Sequence, residues 1–304
     1  VSQFQAKLVL ELRSLTRKYY DLTDERSAHI NKLKGDLHTV FPQYLDVFCD
    51  VTGKTSTMIL RQYGTPDKIL RGHKKTMIEK ISKASRKGLA KASERYEKLC
   101  AAANAAKTFG CQIDSIYFNI FLTLDLVEKL DSALDSILNR IRQLITFNKN
   151  EKFIQQIKLL NTIPGVGFLT AVTIMCEIGD FSAFRNPKQL FAYFGLDPEV
   201  NESGKFVGTQ LHMSKRGSRI ARRAIFAVAL ASIRTKRNGE GINPYLRKYY
   251  ELKSGQKPKM VAIGAVMHKV CNIVFAVLRD EKAFELRSPE EHCKQYQRPA
   301  LAAA

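Results

Sequence analysis

The chain has no tryptophan and only 29 acidic residues, against 49 lysines and arginines, in 304 residues. The shortage of acid leaves a formal net charge of +20. That is more than solubility requires, and it attracts a polyanion in a salt-dependent way. Nucleic acid is the expected partner; a generic basic protein such as a ribosomal accessory factor is the plain alternative. No acidic cluster resembles a complete two-metal nuclease site. Glu177 and Asp180, one helical turn apart, form a candidate Mg²⁺ pair, but a metal site needs several converging oxygens. There is no P-loop, no HExxH and no tyrosine in an obvious recombinase context.

Cysteine is sparse as well. Cys49, Cys100, Cys111, Cys176, Cys271 and Cys293 are scattered, with no CxxC pair. That pattern argues against a zinc ribbon and for a reducing cytosol. No run of about 18 apolar residues occurs, so no transmembrane helix is expected. No signal-peptide pattern opens the chain. It starts at Val1 and ends in Leu301-Ala-Ala-Ala304, so a preceding N-terminal part is expected. Its 45% hydrophobic content is enough for a real core, and its length suggests about two domains.

The first 150 residues are poor in helix breakers. Leu8, Leu12, Leu15, Tyr19, Leu22, Ile30, Leu33 and Leu37 recur at three- and four-residue steps with one long gap, predicting a helix over about 3–40. Pro42 ends it. Shorter helices follow, broken at Gly53, at Gly64-Thr65-Pro66 and near Gly88. A second long helix is predicted over about 113–147. Its stripe of Ile120, Leu124, Val127, Leu130, Leu134, Ile137, Ile141 and Leu144 is close to a heptad seam. The expected fold is mainly α: a long antiparallel coiled-coil hairpin over 1–150, carrying a small helical insertion, then a compact helical domain over 151–290. A tail over 291–304 reads in part as appended sequence. An ordinary helical bundle would give the same stripes.

After Asn148-Lys149-Asn150, proline and glycine become frequent. The run Ile163-Pro164-Gly165-Val166-Gly167 between two helical patterns reads as a helix-hairpin-helix. Its glycines let the backbone approach a phosphate, and the next helix, with Thr170 in its first turn, points N–H groups at it. Such a contact is blind to base sequence. The alternative is a connector that only packs. Further on, Asn186 can cap a helix with Pro187 at its first position. Phe181, Phe184, Phe191 and Phe194 read as core rather than as stacking platforms.

The third motif is Asp197-Pro198-Glu199-Val200-Asn201-Glu202-Ser203-Gly204-Lys205-Phe206-Val207-Gly208, followed by His212-Met213-Ser214-Lys215-Arg216-Gly217-Ser218-Arg219 and a helix with Arg222 and Arg223. Residues 203–259 hold 14 Lys/Arg and 2 acids, an excess of 14 − 2 = +12. A serine hydroxyl among such cations is poised to attack phosphate, because they stabilise both its alkoxide and the phosphorane. Ser-Gly is also a common turn dipeptide, and Ser214 and Ser218 compete with Ser203. Ser214 is alternatively the cap of the helix beginning near Gly217-Ser218, with Lys215 and Arg216 reaching phosphates. The apolar helix over about 258–279 reads as core, with His268 a packed or surface residue.

Together these runs, with Glu177-Ile178-Gly179-Asp180-Phe181, Leu190-Phe191-Ala192-Tyr193-Phe194-Gly195-Leu196 and Arg222-Arg223-Ala224, resemble the C-terminal transposase domain of the DEDD-type insertion-sequence transposases. This is the IS one-ten family, which includes the Piv-type DNA invertases. Arg17, Phe41-Pro42, Tyr63-Gly64-Thr65-Pro66 and Ser85-Arg86-Lys87-Gly88 fit the family's coiled-coil segment. The resemblance implies a bacterial or archaeal recombinase of the cytoplasm and nucleoid, with DNA and an element-encoded guide RNA as partners and no membrane. It implies a serine that becomes joined to DNA, which falls on Ser203, with Ser214 as the alternative. From the glycine turn and the cationic stretch, backbone binding is expected at Gly165, Gly167, Thr170, Lys205, Lys215, Arg216, Arg219, Arg222 and Arg223. A homodimer or tetramer through the coiled coil is also implied. The family's RuvC-like domain, whose four acids bind Mg²⁺, has no counterpart here. The chain by itself is expected to hold no cofactor and to lack metal-dependent strand cleavage.

Overall fold

The computed structural model describes residues 3–109, 111, 113–199, 202–203, 206–207 and 212–296. They are mainly helical and form two compact units. One is Tyr19–Ile137; the other joins Val1–Lys18 to Leu138–Ala304. The composition changes near 150, but the units divide inside the two long helices.

The first long helix, α1 (Gln3–Val40), stops where Pro42 cannot donate. The other, α7 (Asp114–Phe147), carries the heptad-like stripe. Within the 19–137 unit these helices run antiparallel. Arg26 on α1 donates Nε and Nη2 to the two carboxylate oxygens of Asp131 on α7. Fourteen residues along α1, the Val40 carbonyl accepts from the Tyr117 hydroxyl, fourteen residues back along α7. That constant register brings Ile30 level with Val127, Leu33 with Leu124 and Leu37 with Ile120. All but the half-buried Ile30 are buried.

Between the long helices lie α2 (Tyr44–Val47), α3 (Lys54–Gln62), α4 (Pro66–Arg71), α5 (Lys74–Ser85) and α6 (Leu89–Phe109). The breaks fall at the expected signals. Gly53 precedes α3, Thr65 caps α4 ahead of Pro66, and Gly88 at φ +79° follows α5. Phe41, Tyr44, Ile59, Leu60, Ile69, Met77 and Ile81 close a core with Leu33 and Leu37. The Tyr44 hydroxyl is satisfied inside it by Ser56. Arg61 pairs with Asp125 at 2.6 Å and Glu128 at 2.8 Å, tying α3 to α7.

The other unit is built on α8 (Lys152–Leu160), α9 (Phe168–Ile178), α10 (Pro187–Tyr193), α11 (Arg219–Ser232), α12 (Pro244–Ser254) and α13 (Lys259–Asp280), with α14 (Pro289–Tyr296) after them. Helix α13 packs on α8, α10, α11 and α12. It is the one helix among the described residues long and apolar enough to cross a membrane, although no unbroken run of 18 apolar residues occurs in it. Ala262, Val266, Val270, Cys271, Val274 and Leu278 make it the centre of this core. His268 is half-buried on its flank, its ring edge-to-face with Phe191 at 4.3 Å. The expected aromatic core is only partly realised. Phe194 is fully buried, whereas Phe181, Phe184 and Phe191 are half-buried, with Phe181 against Phe275.

One feature departs from the expected all-helical domain. Among the described residues, 197–199 run antiparallel to 212–214, and a two-residue strand pair forms a short ribbon with them. Pro198 bridges Met213, and strand β1 (Glu202–Ser203) pairs with β2 (Phe206–Val207).

Candidate nucleic-acid interface

Helices α8 and α9 pack on each other across the Pro-Gly-Val-Gly turn. Its two glycines differ in purpose. Gly165 has φ +96°, and a Cβ there would lie 2.5 Å from the Ser232 Oγ. Buried Ser232, at the end of α11, donates that hydroxyl to the Pro164 carbonyl at 3.0 Å. Gly165 is thus needed for packing against α11. Gly167 is exposed, has nothing near its missing Cβ, and opens α9 without a side-chain cap. The first-turn N–H groups of α9, up to half-buried Thr170, receive no acceptor from it.

The ribbon carries Ser203. Glu202 is opposite Val207 and Ser203 opposite Phe206. Ser203 therefore precedes residues 204–205, and Lys205 and the Ser203 side chain lie outside the described residues. The base of the ribbon is fixed by backbone bonds from Glu199 N to His212 O at 2.7 Å and from Ser214 N to Asp197 O at 2.8 Å. The Ser214 hydroxyl adds a 2.6 Å bond to Asp197 Oδ1.

Below the ribbon two backbone segments cross in contact. A Cβ on Gly217 would lie 2.0 Å from the Tyr193 carbonyl oxygen, and one on Gly195, at φ +66°, 2.4 Å from the Gly217 nitrogen. Only glycine at both positions allows this approach. Between them Lys215 takes the left-handed conformation, φ +54°, and donates its N–H to Gly195 O at 3.0 Å. Arg222 holds the same loop from α11, donating Nη1 to the carbonyls of Phe194, Lys215 and Gly217 at 3.2, 3.1 and 2.6 Å. The loop delivers exposed Lys215 and Arg216 beside Arg219 at the start of α11; Arg223 is half-buried one turn on. The cap of α11 is Ser218, which accepts from Ala221 N at 3.1 Å. The alternative placing Ser214 in that role is corrected: α11 begins at Arg219, one residue after Ser218, and Ser214 is committed to Asp197.

Glu177 and Asp180 form no metal pair. Glu177 is 3% exposed and holds Arg17 by two hydrogen bonds, at 2.9 and 3.0 Å. Burial pushes its carboxyl up, but hydrogen bonds from Arg17 and Ser218 with the charges of Arg17 and Arg13 outweigh it, leaving the group below its ordinary value. Asp180 accepts from the N–H and hydroxyl of Ser182. Among the described residues no group of three or more His, Cys, Asp or Glu is placed to hold a metal ion. Pattern reading assigned no role to Asp197, which opens the third motif, or to Ser232; both act across separations that no local periodicity reveals.

These described residues form a basic helical unit with a short ribbon pinned on a glycine crossing. Residues 157–251, which contain the Pro-Gly-Val-Gly turn, the ribbon and the cationic loop, match the transposase family described as IS116/IS110/IS902. The chain is 23% identical over 286 residues to the insertion element IS110 uncharacterized 43.6 kDa protein of Streptomyces coelicolor, covering 93% of this chain and 66% of that protein. It is 30% identical over 177 residues to the pilin gene-inverting protein of Moraxella bovis (58% of this chain, 52% of that one). It is 26% identical over 188 residues to the transposase for insertion sequence element IS1111A of Coxiella burnetii (60% and 50%). The chain spans between half and two thirds of the length of these relatives.

Proposed function

We propose that this chain is part of a DNA transposase or site-specific recombinase and that Ser203 is its nucleophile. The observation that carries the reading is that the family match over 157–251 encloses the ribbon and the cationic loop together. Relatives named for transposition and for gene inversion share one chemistry, the breaking and rejoining of DNA strands. In the proposed step the Ser203 oxygen forms a bond to a DNA phosphorus. The bond from that phosphorus to one deoxyribose oxygen breaks, and the serine proton passes to the departing oxygen. The phosphodiester is conserved, so another deoxyribose hydroxyl can reverse the step and join a new strand.

Lys205, Lys215, Arg216, Arg219 and Arg223 hold the phosphate backbone and offset the charge that develops on phosphorus. Arg222 has a different part: its guanidinium serves three carbonyls and sets the loop that presents Lys215 and Arg216. Gly167 and Thr170, at the uncapped start of α9, take a backbone phosphate, while Gly165 keeps the turn seated on α11. An element-encoded guide RNA that selects the DNA, self-association through α1 and α7 as a coiled-coil hairpin, and residence on the bacterial or archaeal nucleoid complete the reading.

The test is covalent trapping. The full-length protein of which this chain is part is incubated with Mg²⁺ and end-labelled DNA carrying the flanks of its own gene, together with RNA transcribed from them, then denatured and run on a gel. Wild type and Ser214→Ala form a protein–DNA adduct and Ser203→Ala does not. An adduct lost in Ser214→Ala and kept in Ser203→Ala moves the nucleophile to Ser214. Binding with no adduct in any variant leaves a non-catalytic nucleic-acid module.

A further inference from the structure

The connection between α11 and α12 spans no distance. The chain leaves at Ser232 and returns at Asn243, whose N–H donates to the Ser232 carbonyl at 3.1 Å. The ten residues between them are an excursion, not a bridge. They form a closed hairpin. Ile242 N donates to Arg234 O at 2.8 Å, Lys236 N to Glu240 O at 2.7 Å and Gly239 N to Lys236 O at 3.0 Å, and Thr235 bridges Gly241. The Asn238 and Glu240 side chains add two hydrogen bonds across the tip, and Gly239 supplies the left-handed turn at φ +85°.

Every residue from 234 to 240 is exposed, so the tip adds nothing to the core. What it displays is Arg234, Lys236 and Arg237, with Glu240, 3.6 Å from Lys236, the only acid between 203 and 250. Ordering such a loop costs conformational entropy that no buried apolar surface offsets. Its root, by contrast, is fixed. Asn243 is 2% exposed and caps α12 through Leu246 N, and Ser232 is fully buried against Pro164. The root of the hairpin thus sits beside the Pro-Gly-Val-Gly turn.

The geometry points to the 234–240 hairpin as a second nucleic-acid contact, separate from the serine loop, which grips the phosphodiester backbone through Arg234, Lys236 and Arg237. This rests on the proposed reading as a nucleic-acid enzyme. Three cations on a preformed turn engage successive phosphates without first being ordered, and they carry no sequence information. DNA and RNA offer the same phosphodiester, so either is a fitting occupant.

The test measures the affinity of the chain for a 30-base-pair DNA duplex of mixed sequence and for an RNA hairpin of the same length, across a salt series. Arg234→Ala/Lys236→Ala/Arg237→Ala is compared with wild type and with Lys32→Ala/Lys75→Ala/Lys83→Ala. The latter removes the same charge from exposed positions of the 19–137 unit. The hairpin variant lowers the slope of log affinity against log salt by about 2–3 on the duplex, or about 2 on single-stranded RNA segments, while the control leaves it near wild type. A change on one nucleic acid only assigns the hairpin to that one. Unchanged slopes on both, or an equal fall in the control, overturn the inference. Failure of wild type to bind either would instead overturn the proposed function. Unchanged circular dichroism melting of the hairpin variant excludes unfolding as the cause.

Discussion

Arg17 and Glu177 are 160 residues apart in sequence and meet through two hydrogen bonds. The carboxylate is buried and the guanidinium half exposed, at 2% and 50% of their side-chain surface. The Tyr193 hydroxyl donates to the Glu177 backbone carbonyl at 3.1 Å, and Arg13 Nε donates to Cys176 O at 2.7 Å. One carboxylate therefore ties the start of α1, the end of α9 and the cap of α11. Removing Arg17 strands a buried charge, so Arg17→Ala should cost about 2–3 kcal/mol, less than a fully buried pair because Arg17 is half exposed. The pH dependence has a definite sign. The Glu177 carboxyl lies below its ordinary value when folded. Its stabilisation is full above the unfolded value of about 4.3 and is lost as pH falls through the lower folded value. Thermal melts should show Glu177→Gln well below wild type at pH 7, with the gap closing below about pH 4. A gap independent of pH would mean that the charge plays no part. Glu177 was visible in the sequence as an acid in a motif, and Arg17 as a landmark in another. Their union was not, because helical periodicity reports only neighbours three and four residues away.

The helices themselves were largely legible. The end of α1 before Pro42, the start of α4 at Thr65-Pro66 and that of α10 at Asn186-Pro187 follow from local rules about donors and caps. The ribbon formed by 197–199, 202–203, 206–207 and 212–214 was not legible. It is short, polar and charged, it shows no period-two alternation, and it is held by Asp197–Ser214 and by two glycines, Gly195 and Gly217, whose contact exists only once α10 and α11 are packed. Gly195 and Gly217 belong to separate motifs in the sequence; the structure makes them a crossing. Gly217→Ala would force a carbon to within 2.0 Å of the Tyr193 carbonyl oxygen. It should cost more than about 3 kcal/mol or displace the Lys215–Arg216 loop. Denaturant melts joined to the adduct assay distinguish these outcomes. Near wild-type stability together with full adduct yield would show that the crossing sets nothing.

The whole molecule divides the work between its two units. The 19–137 unit has its own closed core and the antiparallel register of α1 and α7. The other gathers the glycine turn, the ribbon, the cationic loop and the basic hairpin around α13. Charge follows the same division: the stretch 203–259 holds an excess of +12 out of the chain's +20. In the proposed function that charge meets phosphate, and Ser203 attacks it. The most direct measurement is mass spectrometry of the trapped protein–DNA complex after protease and nuclease digestion. The account predicts a nucleotide joined through phosphate to the peptide containing Ser203. A nucleotide on Ser214 or Ser218, or strand exchange with no residue modified, would contradict it.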